Sequence, residues 1–411
     1  MTCGDQLHVR IPPPGWRDRT AHHGVVGFSV VELLVALTIS LAVTAAVFAM
    51  LNPAGGAFQA VPEASDVQQR LSSATDTLVA DLLSAGSLPI VTLSGASQPA
   101  APPVFPMRIG RRSPDPVGTV DTTRIAIWSV TRTAAQTTLA TALPSSSGSA
   151  TIAIGPWCPQ GDASCGFRTG MTVVVIDRHG AWDLFSVTAV SGRVISLQHD
   201  LRDDPARVYP AGDAAIAEAT FRTYQFKDDR TTGVAQLVRY DGAAASDQPV
   251  IDHIVGLGFQ YFGDADPPTL LPGASVWDPP RPTYGPLPPS SGSQPTAYPA
   301  GENCTFTHDA GGAVVPRLTP LGVAATQVAL STAELTDGPW CPDSLSANRY
   351  DADLLRVRTV VVSLRIESAI TALRGPAGPL FSRAGTARGS RVVPDREVRL
   401  AVTPRGAARA Q

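Results

Sequence analysis

The sequence predicts an α+β protein. One long N-terminal helix, apolar in its first half and amphipathic in its second, packs on an antiparallel β-sheet head with Pro/Gly-rich loop insertions. Three observations carry this reading. From Leu33 to Leu51 the chain holds no charged residue. Apolar residues then recur with a helical period up to Ala85, and beyond residue 90 the period falls to two. Glycine (36) and proline (37) are too abundant for a helical bundle and suit strands and loops. The length of 411 residues allows two or three average domains or one elaborated one. Charged residues make up only 16 % and the net charge is −3, a balance that does not suggest the basic face a nucleic-acid partner calls for, so none is expected directly.

The first element is the apolar run. As a helix rising about 1.5 Å per residue it spans roughly 30 Å, the hydrocarbon thickness of a bilayer. Glu32 stands at its edge in GFSVVELLVALTISL. A charge inside such a span costs about 2.5–3.5 kcal/mol, which makes an ionisable residue there a functional candidate. A secretory signal would have an apolar core of only about 7–15 residues. A plain transmembrane anchor with a polar residue near one end is the other general reading of such a run.

Gly27-Phe28-Ser-Val-Val-Glu32-Leu-Leu-Val-Ala-Leu resembles the prepilin motif of type IV pilins and type II secretion pseudopilins. The resemblance implies cleavage after Gly27 by a membrane prepilin peptidase, N-methylation of Phe28 by the same enzyme, and retention of Glu32 in the membrane. There Glu32 would neutralise the new amine of a neighbouring subunit, where leaving either charge unpaired is strongly unfavourable. A glycine before the cut permits close approach of the peptidase. One departure is visible: these leaders commonly carry Lys or Arg next to the glycine, whereas here the nearest basic residue is Arg19.

The second element is the stem. After Asn52-Pro53-Ala54-Gly55-Gly56, which is expected to kink or loosen the helix, Val67, Leu71, Ala74, Leu78, Leu82 and Ala85 form one apolar stripe. Asp66, Gln69, Arg70, Ser73, Asp76 and Asp81 are expected on the opposite, solvated face. Gly86 and Pro89 supply the stop. The expected organisation is a leader over 1–27, a transmembrane and assembly helix over 28–52, an amphipathic stem over 53–88 and a β-rich head over 89–411. Within the head, 265–303 is a Pro-rich loop.

The head follows as strands. Val255, Leu257, Phe259 and Tyr261 share a face, and Met171–Ile176 and Leu184–Val190 flank a hairpin connection, with a third strand over 194–197. In LLRVRTVVVSLRI, Leu355 and Val357 oppose Arg356 and Arg358. The phase slips near Thr359, which signals a bulge or a strand buried on both faces. No long helices intervene, so the sheets are antiparallel. The segments 170–197, 219–242 and 249–264, then LLRVRTVVVSLRI and a closing REVRLAVTP, are similar in order to the heads of the large minor pilins and pseudopilins called W in pili and J in secretion systems.

Five cysteines are present, one of them, Cys3, in the leader. In an oxidising compartment Cys158, Cys165, Cys304 and Cys341 form two disulfides, with three connectivities possible. The favoured one is Cys158–Cys165 with Cys304–Cys341. A four-thiolate zinc site would need closer cysteine spacing. No catalytic motif is present: HExxH, a Walker loop and GxSxG are all missing. Asp351-Ala352-Asp353 and Asp264-Ala265-Asp266 read as solvated acidic turns rather than calcium ligands. His253 beside Asp252 reads as two strand residues on opposite faces. No enzyme activity and no cofactor are expected.

The resemblance therefore implies a structural subunit. It would sit as a single-pass protein in a bacterial inner membrane, with its head in the periplasm or on the cell surface. Its partners would be the prepilin peptidase, other minor pilins or pseudopilins, and the major subunit, in a type IV pilus or secretion pseudopilus. The competing expectation is an exported enzyme or adhesin that uses the N-terminal segment only for targeting.

Overall fold

The computed structural model describes residues 28–87, 101–107, 115–116, 118–131, 134–177, 182–202, 207–229, 231, 233–241, 247–267, 297–299, 301–323, 327–341, 349–374 and 393–408. The leader with Gly27, and all of the Pro-rich loop except 265–267, 297–299 and 301–303, lie outside the described residues. The chain divides into two compact units, Met1–Gln59 and Ala60–Gln411.

In the first unit the helix Val30–Ser84 begins, and no side chain between Val30 and Met50 is buried. This is the one helix among the described residues that is long and apolar enough to cross a membrane. The helix runs on through Asn52–Gly56.

In the second unit the stem half of that helix lies on a β-sheet body. All six stripe residues, Val67, Leu71, Ala74, Leu78, Leu82 and Ala85, are buried. They join a core with Ile125, Ile127, Tyr224 and Leu237 from one sheet and Val360, Val362 and Leu364 from another. The first sheet runs Val104–Phe105, Arg124–Ser129, Thr220–Asp229, Val234–Tyr240, Gln248–Asp252. The other runs Gln327–Leu330, Ile254–Asp264, Val357–Ile366, Arg396–Val402. All pairings between these strands are antiparallel.

The phase slip near Thr359 has a structural cause. Phe262 pairs with Thr359 and Gly263 with Val357, so Arg358 is the extra residue of a bulge. The strand is also buried on both faces. Upstream, Leu355 and Arg356 belong to a short 3-10 helix, Ala352–Arg356, rather than to an alternating strand. Both arginines are buried. Arg356 donates to the carbonyls of Ala265 (2.8 Å) and Thr319 (2.6 Å), and Arg358 to Asp264 (2.6 Å).

The three strands expected over 171–197 form, with three others, a six-stranded sheet whose insertion into the first the sequence does not announce. Its order is Gln136–Thr138, Ala214–Glu218, Thr172–Asp177, Trp182–Ser191, Val194–Arg202, Ser149–Thr151. The chain leaves the first sheet at Ser129 and re-enters at Thr220, and those two residues are direct ladder partners. One face of the insertion, with Val174, Ile176, Trp182, Leu184 and Ala217, joins the main core. The other, with Val173, Val175, Phe185 and Ile216, closes a second core of its own. The two indoles Trp128 and Trp182 stack across the junction, 5.9 Å apart with planes 3° from parallel.

Both disulfides have the favoured connectivity, with Cα–Cα separations of 4.4 Å for Cys158–Cys165 and 5.3 Å for Cys304–Cys341. At the end of the stem Gly86, with φ +67, meets Gly406 backbone to backbone, and the Gly406 N–H donates to the Ala85 carbonyl (3.0 Å).

Candidate functional site

Residues Ser29 to Glu32 start the helix with a reciprocal cap. The Ser29 Oγ accepts from the N–H groups of Val31 (3.1 Å) and Glu32 (3.4 Å), and the Glu32 Oε2 accepts from the Ser29 N–H (3.1 Å). This is the Ser-x-x-Glu capping box, a signature the sequence carries and the motif reading passed over. It turns the Glu32 carboxylate back toward Phe28, where the positive end of the helix dipole favours an anion. A carboxylate has about four acceptor sites and the box uses one, so Glu32 keeps capacity for a further donor. Phe28 is 83 % exposed. Gly27 lies outside the described residues.

Further along, three charged stem residues fasten the helix to the body. Glu63 accepts from the Ser368 hydroxyl (2.8 Å) and the Ala369 N–H (2.7 Å). Burial alone would raise its pKa, but these bonds and the nearby Arg70 outweigh that and hold it below the usual carboxylate range. Arg70 bridges Asp66 (2.7 Å) on its own helix and Asp252 (3.1 Å) on the body, so it is half-buried rather than solvated. Asp81 corrects the expected polar face most clearly. It is buried, ion-paired with Arg222 and hydrogen-bonded by the Tyr224 hydroxyl. The reason is angular: Asp81 flanks Leu78 and Leu82, at the margin of the apolar stripe. Burial, followed by the Asp81 charge, pushes the Tyr224 pKa up.

Asp81→Ala is expected to destabilise the body by about 2–3 kcal/mol, below the range for fully buried pairs because Arg222 remains partly hydrated. Urea unfolding followed by tyrosine absorbance would measure it.

His253 also departs from expectation. It sits between two strands with φ +55, not within one, so its ring comes back to Asp252 (3.9 Å) instead of facing the other way. Burial is the main cause of its lowered pKa; Asp252 opposes this, while Arg374 and Arg70 add to it.

Asp351 and Asp353 are buried, not a solvated turn, and with Asp337 they bring three carboxylates together. The cause is the short 3-10 helix. Asp351 caps it by accepting from the Asp353 N–H (2.9 Å), which draws both side chains inward. Asp264 is engaged by Arg358.

Set against known proteins, the chain matches no family model, no curated protein and no solved structure.

Proposed function

We propose that this chain is a minor pilin or pseudopilin, a structural filament subunit cut after Gly27 and N-methylated at Phe28. The observation that carries the reading is the placement of Glu32. A carboxylate opens a fully exposed apolar helix, Val30–Met50, and is turned toward the residue whose amine cleavage would create. In the assembled filament the apolar halves pack side by side, and each Glu32 receives the Phe28 amine of a neighbour. A stem helix packed on a β-sheet body supports this reading. The bulk of the head, enlarged by an inserted sheet, suits a position at the filament tip with other minor subunits. Before assembly the chain resides in the bacterial inner membrane.

The N-terminus of membrane-extracted protein tests the processing step. Mass spectrometry is expected to find N-methyl-Phe28. A first residue near Met50 would instead favour an exported protein that discards the segment. Glu32→Val is expected to leave cleavage largely intact. It should cut incorporation into sheared filaments by at least about tenfold, the effect of only 1.4 kcal/mol. Equal recovery of wild type and variant from filaments would remove the pairing role.

A further inference from the structure

The segment Ser331–Cys341 reaches back over the short helix at Ala352. Its far end is fixed covalently through Cys341 to Cys304, and by the Tyr298 hydroxyl donating to the Trp340 carbonyl (2.6 Å). Leu335, 1 % exposed, sinks into the main core, Trp340–Cys341 ladders with Tyr350–Asp351, and between these points the segment is seated on one carboxylate. Asp351 accepts from the Gly338 N–H (2.7 Å) while its other oxygen accepts from the Asp353 N–H (2.9 Å). The Ala352 N–H returns a bond to the Pro339 carbonyl (2.8 Å).

Among the described residues, the charges around this contact do not balance. Acceptor atoms of Asp337, Asp351 and Asp353 all lie within 4.8 Å of one another, and Asp351 and Asp353 are 0 % and 5 % exposed. Glu334 adds a fourth carboxylate from the same segment. Against them stands Arg356, whose Nε lies 2.5 Å from Asp353, but its other nitrogens serve the Ala265 and Thr319 carbonyls. Arg349 lies over the Trp340 ring (5.9 Å). Buried carboxylates that outnumber their counter-charges take up a proton.

We propose that Ser331–Cys341 is an acid-stabilised latch, seated on Asp351 while the Asp337–Asp351–Asp353 cluster shares a proton and loosened when that proton leaves. Burial, reinforced by the neighbouring carboxylates, pushes Asp351 up to about 7 and Asp353 up to about 6, against bonds and an arginine that pull the other way. A carboxyl whose folded pKa is raised binds its proton more tightly folded than unfolded. The resulting stability is complete below the ordinary value of 3.8, declines as pH rises, and is gone above about 7. Glu63 and Glu302 run the opposite way, since their lowered pKa values contribute stability that is lost as pH falls below 4.5. The latch is therefore tightest in mildly acidic solution. This inference is independent of the filament reading.

Hydrogen exchange of the full chain in detergent micelles tests it at pH 5.5 and pH 8, corrected for the intrinsic rates. Peptides covering 335–341 and 350–356 are expected to open about tenfold more at the higher pH, while the strand Val357–Ile366 changes little. Asp337→Asn, at an exposed position, should shrink that difference, and Asp351→Asn should shrink it further. Equal opening at both pH values would overturn the latch. So would a pH dependence that survives both substitutions, or protection at pH 8 restored by millimolar calcium in place of acid.

Discussion

Trp182→Ala is expected to lower the stability of the body by about 3–5 kcal/mol, the range for deleting a buried indole. Trp182 is 1 % exposed and belongs to the inserted sheet, yet its ring stacks on Trp128 of the first sheet. Removing it opens a cavity at the junction of the two layers, where both sheets must move to fill it. The two indoles are not equivalent. The Trp128 Nε1 donates to the Pro102 carbonyl (2.8 Å), whereas the Trp182 Nε1 is buried with no hydrogen-bond partner among the described residues. A desolvated donor without an acceptor costs about 1–3 kcal/mol. Trp182→Phe, which removes that donor and keeps a ring, should thus cost clearly less than Trp128→Phe, which orphans a carbonyl. Urea titrations of the three variants followed by near-ultraviolet circular dichroism check both statements. Equal costs for the two phenylalanine variants would contradict the assignment.

Gly86→Ala is expected to cost about 3 kcal/mol from two separable causes. The left-handed backbone at Gly86 penalises any side chain by about 1–2 kcal/mol. An added Cβ would also stand 2.9 Å from the Gly406 Cα, a backbone atom that cannot turn aside. Overpacking of that kind costs about 1–3 kcal/mol. Gly212 provides the control, since it has φ +74 and nothing within 4 Å of its added Cβ. Gly212→Ala should show the conformational part alone. The reverse partner, Gly406→Ala, places its Cβ 2.7 Å from the Gly86 Cα and should show the steric part. Thermal unfolding of all three variants separates the contributions.

What the sequence disclosed depended on how local the responsible forces are. The stem stripe was legible because burial of Val67 through Ala85 follows a period set by one helix. The bulge at Arg358 was legible because it shifts an alternation within a few residues. Other features depend on distant chain and were not legible. Asp81 looks solvated until Arg222 and Tyr224 arrive from a strand far along the chain. Asp351 and Asp353 look like a surface turn until the segment at Gly338 closes over them. The central hairpin of the inserted sheet was legible from its alternation, but its insertion was hidden for the same reason: nothing local reports that Ser129 and Thr220 are neighbours. At the N-terminus, the capping role of Ser29 was available in four consecutive letters.

The adjacency of Ser129 and Thr220 bears on the order in which the polypeptide reaches its final form. Bringing them together from an unstructured chain closes a loop of about 90 residues, at an entropic cost that grows with the logarithm of its length. If the intervening strands collapse first around Val173, Phe185 and Ile216, their own ends are delivered side by side, and the outer ladder zips onto a preformed kernel. The youngest part of the topology, seen from outside, would then be the oldest in time.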